Sequence, residues 1–304
     1  MTTRAFAELV ALAENTWTPT RAEKTRVALQ VGHCSQSVGA GDLAGPLADA
    51  LPEDAYMVVA GCDGACYDAP LVVVTAPSGL SQRFPRVTND SIRRIVDTVS
   101  KGDYAGAAAQ DAFPGGQRRL TLDLCGEVDG NEIDDYLVHG GYKGLAKALA
   151  MSPEEVIEEV KSSGLRGRGG AYFPAGVKWE SARAVDRTPR YLVVNSEEGE
   201  PGIFKDRHLM EGVPHRILEG TIIAAYASDV NEAYVYINAE ADLSAERMHA
   251  AIDQASDRGL LGEDILGSGF GLRVEIRRGA GGYVCGEETT LLNTMEGYRR
   301  EPRL

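Results

Sequence analysis

The sequence predicts an α/β protein of two domains, and three observations lead there. Its 304 residues exceed the roughly 100 to 200 of a usual single domain. Short apolar runs alternate with helical stretches in two regions, separated by a segment of little periodicity. Its 35 glycines, well above the roughly 7% norm, gather mostly in a few loops.

In the first region the order from residue 26 is strand "RVALQV", helix "DLAGPLADAL", strands "AYMVVAG" and "PLVVV", then helix "DSIRRIVDTVS". A β-α-β-β-α order suits a small sheet with helices packed on it, so residues 1–105 are expected to form a thioredoxin-like domain. Residues 101–119, rich in Ala, Gly and Asp, hold the expected linker at 106–119.

The second region, 120–304, contains "SPEEVIEEVKSSG", where Ser152 caps a helix, Pro153 suits its first turn and Glu155 completes a capping box; Gly164 ends it. Then come a strand "RYLVVN", a helix from about Pro214 to Ala227, a strand "EAYVYIN", a helix from about Ser244 to Ser256, and a strand "LRVEIRRG". Strands alternating with helices imply βαβ units and a mainly parallel sheet, whose ligands bind where the loops gather at the carboxyl ends of strands.

A net charge of −14 argues against nucleic-acid binding, which needs a basic surface. No apolar run approaches the roughly 18 residues of a membrane span, and "MTTRAFAELVALAENTWTPT" lacks the basic start and cleavage site of a signal peptide. Cys34, Cys62, Cys66, Cys125 and Cys285 are odd in number and scattered, unlike a secreted disulfide framework. The reading is a cytoplasmic protein with no direct membrane insertion.

Three loops carry the chemistry. The first, "GLRGRGGAYFPAGVK" (164–178), sets Gly164, Gly167, Gly169 and Gly170 beside Arg166, Arg168 and Lys178, a combination that can turn several N–H groups and positive charges toward one anion. It matches neither the dinucleotide fingerprint nor the P-loop, and a Gly-Arg surface turn is the alternative. The second, "NSEEGEPGIFKDR" (195–207), packs Asn195, Glu197, Glu198 and Glu200 after a buried strand; such acceptors can hold an imide or ribose hydroxyls, or form a solvated acidic turn. The third, "GAGGYVCGEETTLLNTMEG" (279–297), brings Tyr283, Cys285, Gly286, Glu287 and Glu288 to the start of a helix, while Cys285 reads better as a small buried residue than as a nucleophile.

These loops in this order, with "GGYKGLAKAL" at 140–149, closely resemble the NADH-binding flavin subunit of respiratory complex I. They also resemble its relatives in NAD-dependent formate dehydrogenases, NAD-reducing hydrogenases and electron-bifurcating enzymes. The resemblance covers roughly residues 120–304 and implies a Rossmann-like domain that binds FMN with NADH stacked on it. It assigns Gly167, Arg168, Gly169, Gly170 and Lys178 to the FMN phosphate and ribityl chain, with Lys178 also near the nicotinamide nucleotide. It assigns Asn195, Glu197, Glu198, Gly199, Gly286 and Glu287 to the flavin, and Phe173, Glu200, Tyr283 and Glu288 to the nucleotide. Two positions depart from the family pattern: Tyr172 stands at a usual glycine and Glu197 at a usual aspartate.

"GHCSQSVGAG" and "AGCDGACYDAPLVVV" resemble the thioredoxin-like domain that some relatives carry, which in its cluster-bearing form ligates [2Fe–2S] through four cysteines. Cys34, Cys62 and Cys66 are the candidate ligands here, with Leu29 near the fourth place and His33 as a substitute, and the expectation is a degenerate site. Family members continue past "EGYRREPRL" to a [4Fe–4S] motif, so the chain reads as shortened, with that cluster expected only in the missing part. The implied reaction is hydride transfer between NADH and FMN followed by electron passage to iron–sulfur centres, with binding residues and no catalytic ones. The implied partners are a thioredoxin-like [2Fe–2S] subunit and a catalytic subunit. The rival readings are a structural or docking subunit that has lost flavin, and a generic Rossmann dehydrogenase.

Overall fold

Helix α1 (Thr2–Arg21) opens the chain, and its Ala, Leu and Glu content favours the helix that the sequence reading leaves unassigned. The computed structural model describes residues 2–104, 116–279 and 283–303, so most of the expected linker lies outside the described residues. The chain divides into two compact units: Val10–His139 with His208–Pro214, and Met1–Leu9 with Gly140–Arg207 and His215–Leu304. Residues 120–139, grouped with the second region on sequence, fall in the unit that contains Val10–His139.

That unit is built on β1 (Thr25–Gln30). A crossover through α2 (His33–Gln36) and α3 (Ala44–Ala50) leads to β2 (Ala55–Ala60), parallel to β1. Next, β3 (Leu71–Thr75) pairs antiparallel with β1, and β4 (Ser81–Phe84) antiparallel with β3, giving the order β2-β1-β3-β4. Val27, Ala28 and Leu29 are consecutive and fully buried, as a central strand covered on both faces must be. Strand β4, "SQRF", is not assigned from the sequence because it carries no run of β-branched residues. Helix α4 (Asn89–Lys101) buries Ile92, Ile95 and Val99 at helical spacing and ends at Gly102, whose φ of 61° is left-handed. Helix α5 (Ile133–Val138) follows, and Leu122, Leu124, Cys125 and Val128 pack with Leu209 and Val213.

The other unit holds α6 (Lys143–Ala148), α7 (Pro153–Ser162) and α8 (Ala175–Arg183). The capping box of α7 forms as expected: the Ser152 N–H donates to Glu155 Oε2 at 2.8 Å and the Glu155 N–H to Ser152 Oγ at 3.3 Å. After β5 (Leu192–Ser196) come α9 (Lys205–Gly212), α10 (Pro214–Ser228), β6 (Glu232–Ile237), α11 (Asp242–Asp257), β7 (Arg273–Arg278) and α12 (Glu288–Met295). The strands are all parallel in the order β5-β6-β7, with Leu192 opposite Ala233 and Glu232 opposite Arg273. Leu218, Ile222, Val235, Ile237 and Met248 are fully buried between sheet and helices. The strands' carboxyl ends at Ser196, Ile237 and Arg278 therefore deliver the second loop, Asn238 and the third loop to one edge of the sheet. Among the described residues no helix is long and apolar enough to cross a membrane.

Candidate functional site

The first loop is a closed bend between α7 and α8. The Gly167 N–H donates to the Phe173 carbonyl at 2.8 Å and the Ala175 N–H to the Leu165 carbonyl at 2.9 Å, pinning its base. Gly170 (φ 100°) and Tyr172 (φ 53°) take left-handed backbone, and Arg166 Nη1 braces the turn by donating to the Tyr172 carbonyl at 3.2 Å. A glycine at position 172 would suit that conformation better than a residue with a Cβ. Arg168, Gly169, Phe173 and Lys178 are exposed. Among the described residues a Cβ built on Gly169 or Gly170 would meet no atom within 4 Å, so the space beside them is open. Gly176 is different: a Cβ there would lie 2.5 Å from Lys161 Cγ and 2.8 Å from the Lys161 nitrogen, so it is bare because α7 crosses α8 at that point.

In the second loop, Asn195 holds two segments together. Its Nδ2 donates to the Cys285 carbonyl at 2.8 Å and its Oδ1 accepts the Glu197 N–H at 3.2 Å. Glu197 Oε1 accepts from Asn238 Nδ2 at 3.0 Å, and burial raises its carboxyl above the usual carboxylate range against the pull of the Arg300 charge. Glu198, 9% exposed, accepts the N–H groups of Asp206 (2.9 Å) and Arg207 (3.1 Å), so its carboxylate is taken up at the start of α9. Gly199 is half-buried and Glu200 is exposed.

The third loop ends in a helix cap. Glu287 Oε2 accepts the Thr290 N–H at 2.7 Å together with the hydroxyls of Thr289 (2.7 Å) and Thr290 (2.9 Å), which hold its carboxyl well down, at about 2. Gly286, Glu288 and Tyr283 are exposed, the last by 67%. Cys285 is 1% exposed and packs with Tyr236 and Leu291, and burial raises its thiol, in keeping with a packing residue.

Beside β5, between α8 and α12, lies a cavity of about 760 Å³. Lys178 from the first loop, Asn195 from the second, and Gly286 and Glu288 from the third line it together, with Trp179, Val185, Tyr191, Val193, Leu291 and Leu292 supplying apolar walls. Arg187 and Arg190 also line it, and sequence reasoning misses them along with Asn238. Asn238 could have been found, since it is the first residue past the carboxyl end of β6. Gly167, Arg168, Gly169, Gly170, Phe173, Glu197, Glu198, Gly199, Glu200, Tyr283 and Glu287 do not line this cavity. The residues fit a phosphorylated flavin on three counts: unfilled space at Gly169 and Gly170, cations at Arg168 and Lys178, and a cavity with apolar walls and few polar groups.

The candidate cluster ligands sit in the other unit. Cys62 accepts the Gly64 N–H at 3.2 Å, and burial first, then the neighbouring Cys66, pushes its thiol up to about 12. Cys34 and Cys66 are exposed, Leu29 is a core residue of β1, and the His33 N–H donates to Glu211 at 2.9 Å. Among the described residues no group of three or more His, Cys, Asp or Glu is arranged to hold a metal ion.

Comparison with known proteins places these loops. Residues 160–304 match the family model described as the Nuo51 FMN-binding domain. The chain is 50% identical over 186 residues to the NADP-reducing hydrogenase subunit HndC of Solidesulfovibrio fructosivorans, covering 61% of this chain and 38% of that one. It is 52% identical over 174 residues to an NADH-quinone oxidoreductase subunit of Aquifex aeolicus, covering 57% and 41%. It thus spans about two fifths of the length of these relatives. Among solved structures, an NAD+-reducing [NiFe]-hydrogenase in the H2-reduced state matches with a TM-score of 0.50 and 22% identity over 98% of this chain and 53% of that one, a likeness of fold. Over residues 160–304, the chain is thus similar to the family of the Nuo51 FMN-binding domain.

Proposed function

We propose that this chain is the NAD(H)-binding flavoprotein part of a multi-subunit oxidoreductase. It moves a hydride between NADH and FMN, and electrons pass onward to iron–sulfur centres of its neighbours. The observation that carries this reading is the meeting of Lys178, Asn195, Gly286 and Glu288, from three separate loops, on one cavity beside β5 of a parallel sheet. FMN, when bound, takes up hydride from NADH and returns the electrons singly. The protein's part is to bind and orient. Arg168 and Lys178, with the N–H groups of Gly169 and Gly170, hold the phosphate end. Asn195 ties the flavin loops to each other through the Cys285 carbonyl. Glu198 and Glu287 serve by holding the starts of α9 and α12, which sets the paths of Gly199 and Gly286. Phe173, Glu200, Tyr283 and Glu288 face the dinucleotide, with Phe173 as a flat apolar surface and Glu200 as a ribose acceptor.

The N-terminal region, whose sheet order β2-β1-β3-β4 suits the thioredoxin-like reading, serves for docking to subunits that carry iron–sulfur clusters. The names of the chain's relatives, a hydrogenase subunit and a quinone oxidoreductase subunit, support partners of that kind. A cytoplasmic location suits five cysteines that are all free thiols.

Reconstitution tests the reading. The purified chain is incubated with FMN, freed of excess by gel filtration, and titrated anaerobically with NADH. A retained yellow chromophore that NADH bleaches is expected; protein that stays colourless after reconstitution would overturn it.

A further inference from the structure

Three side chains, two of them buried, meet behind the flavin loops. Tyr236 on β6 is 2% exposed and Cys285 is 1% exposed, the two side chains touch, and the half-buried Glu197 carboxyl lies near both. Among the described residues neither the Tyr236 hydroxyl nor Glu197 Oε2 makes a hydrogen bond of good geometry, the hydroxyl having the weakly bonding Cys285 thiol beside it, although both atoms are sealed from solvent. A Cβ built on Gly279 would lie 3.3 Å from the Tyr236 hydroxyl and closer still to Glu197 Oε2, at 2.2 Å. The two orphans therefore crowd the same bare backbone position. One is a phenol that can donate and the other a carboxyl oxygen that can accept, and buried polar groups left unpaired are rare because the loss is not offset by water. The far oxygen of Glu197 is already fixed by Asn238. Arg300 supplies the positive charge that favours the ionised carboxyl, and Thr294 flanks the Cys285 thiol.

We propose that Tyr236 is a positioning residue for the flavin loops, its hydroxyl pairing with Glu197 so that Asn238, Glu197 and Tyr236 act as one hydrogen-bonded unit beneath the site. The unit links the end of β6 to the second loop. It gives the longer side chain at position 197 a structural task in place of direct flavin contact, since Glu197 turns to Asn238 and does not line the cavity. The inference rests on the flavin-site reading above.

Tyr236→Phe, Glu197→Gln and the double variant test it, because the first removes the donor hydroxyl and the second turns the charged acceptor oxygen into an amide donor, both keeping shape. The FMN dissociation constant is measured by flavin fluorescence, and the visible circular dichroism of bound FMN is read at matched occupancy. Each single variant is expected to weaken FMN binding about tenfold and alter the dichroism, with the double variant no weaker than the worse single. An unchanged constant and spectrum in Tyr236→Phe, or losses that multiply in the double, would overturn the proposal, as would a lowered melting temperature with no change in the bound flavin. If the wild-type chain takes up no FMN, the flavin reading has failed on its own; the pair is then judged by urea unfolding of the same variants without cofactor, where non-additive losses support the pairing and additive losses overturn it.

Discussion

At the scale of single residues, the glycines of "GLRGRGGAYFPAGVK" divide by physical cause. Gly170 is glycine for a φ of 100° with open space beside it, whereas Gly176 is glycine because the α7 backbone is in the way. Gly176→Ala should therefore destabilise the protein by about 1–3 kcal/mol through overpacking against Lys161 and Ile157, read as a lower urea midpoint with unchanged slope. The motif alone does not separate the two kinds, because the clash comes from a helix ten or more residues earlier. Tyr172 is the opposite case: its exposed ring is tolerated at a position whose backbone favours glycine, at a cost of about 1 kcal/mol.

At the scale of elements, α9 shows how an acidic cluster becomes architecture. "NSEEGEPGIFKDR" reads as one continuous loop, and the helix from Lys205 is hidden because the residues that precede it look like ligand-binding acids. One of them, Glu198, supplies the acceptors that the first turn of α9 lacks. Glu198→Ala should cost about 1–2 kcal/mol and Glu198→Gln less, since the amide keeps one acceptor oxygen. Hydrogen exchange at the amides of Asp206 and Arg207 checks this, with faster exchange expected in both variants and more in the alanine one. By contrast, the helix from Pro153 is fully legible, because a capping box is local chemistry written within four residues.

At the scale of the whole molecule, the two units carry histidines of opposite pH response. His215 is 2% exposed, bonded to Tyr142 and Gln254, and burial lowers it from 6.5 to about 4. Between those values the unfolded chain binds a proton that the folded one does not, so stability is full above about 6.5 and is lost as pH falls toward 4, by on the order of 3 kcal/mol. His139, in the unit with Val10–His139, is raised by its bond to buried Asp135, so its contribution is full below the ordinary value and is lost as pH rises through the folded one. Moving from about pH 7.5 to about pH 5 should therefore weaken amide protection in the unit of His215 relative to the unit of His139. Hydrogen exchange resolved along the chain reads this directly, and His215→Asn should flatten the acid limb.

The sequence by itself determined the α/β class, the parallel sheet of β5, β6 and β7, and the three loops at its carboxyl edge. Those features rest on periodicity, caps and motifs that act over a few residues. Only the tertiary structure decided what each side chain in those loops does. Glu198 and Glu287 spend their carboxylates on helix starts, Glu197 turns to Asn238 beside Tyr236, and Arg187 joins Lys178 on the cavity wall. The reason is geometric: a carboxylate in a loop has the same sequence signature whether it faces a ligand or a backbone N–H, and only the path of the chain brings one of them within bonding distance.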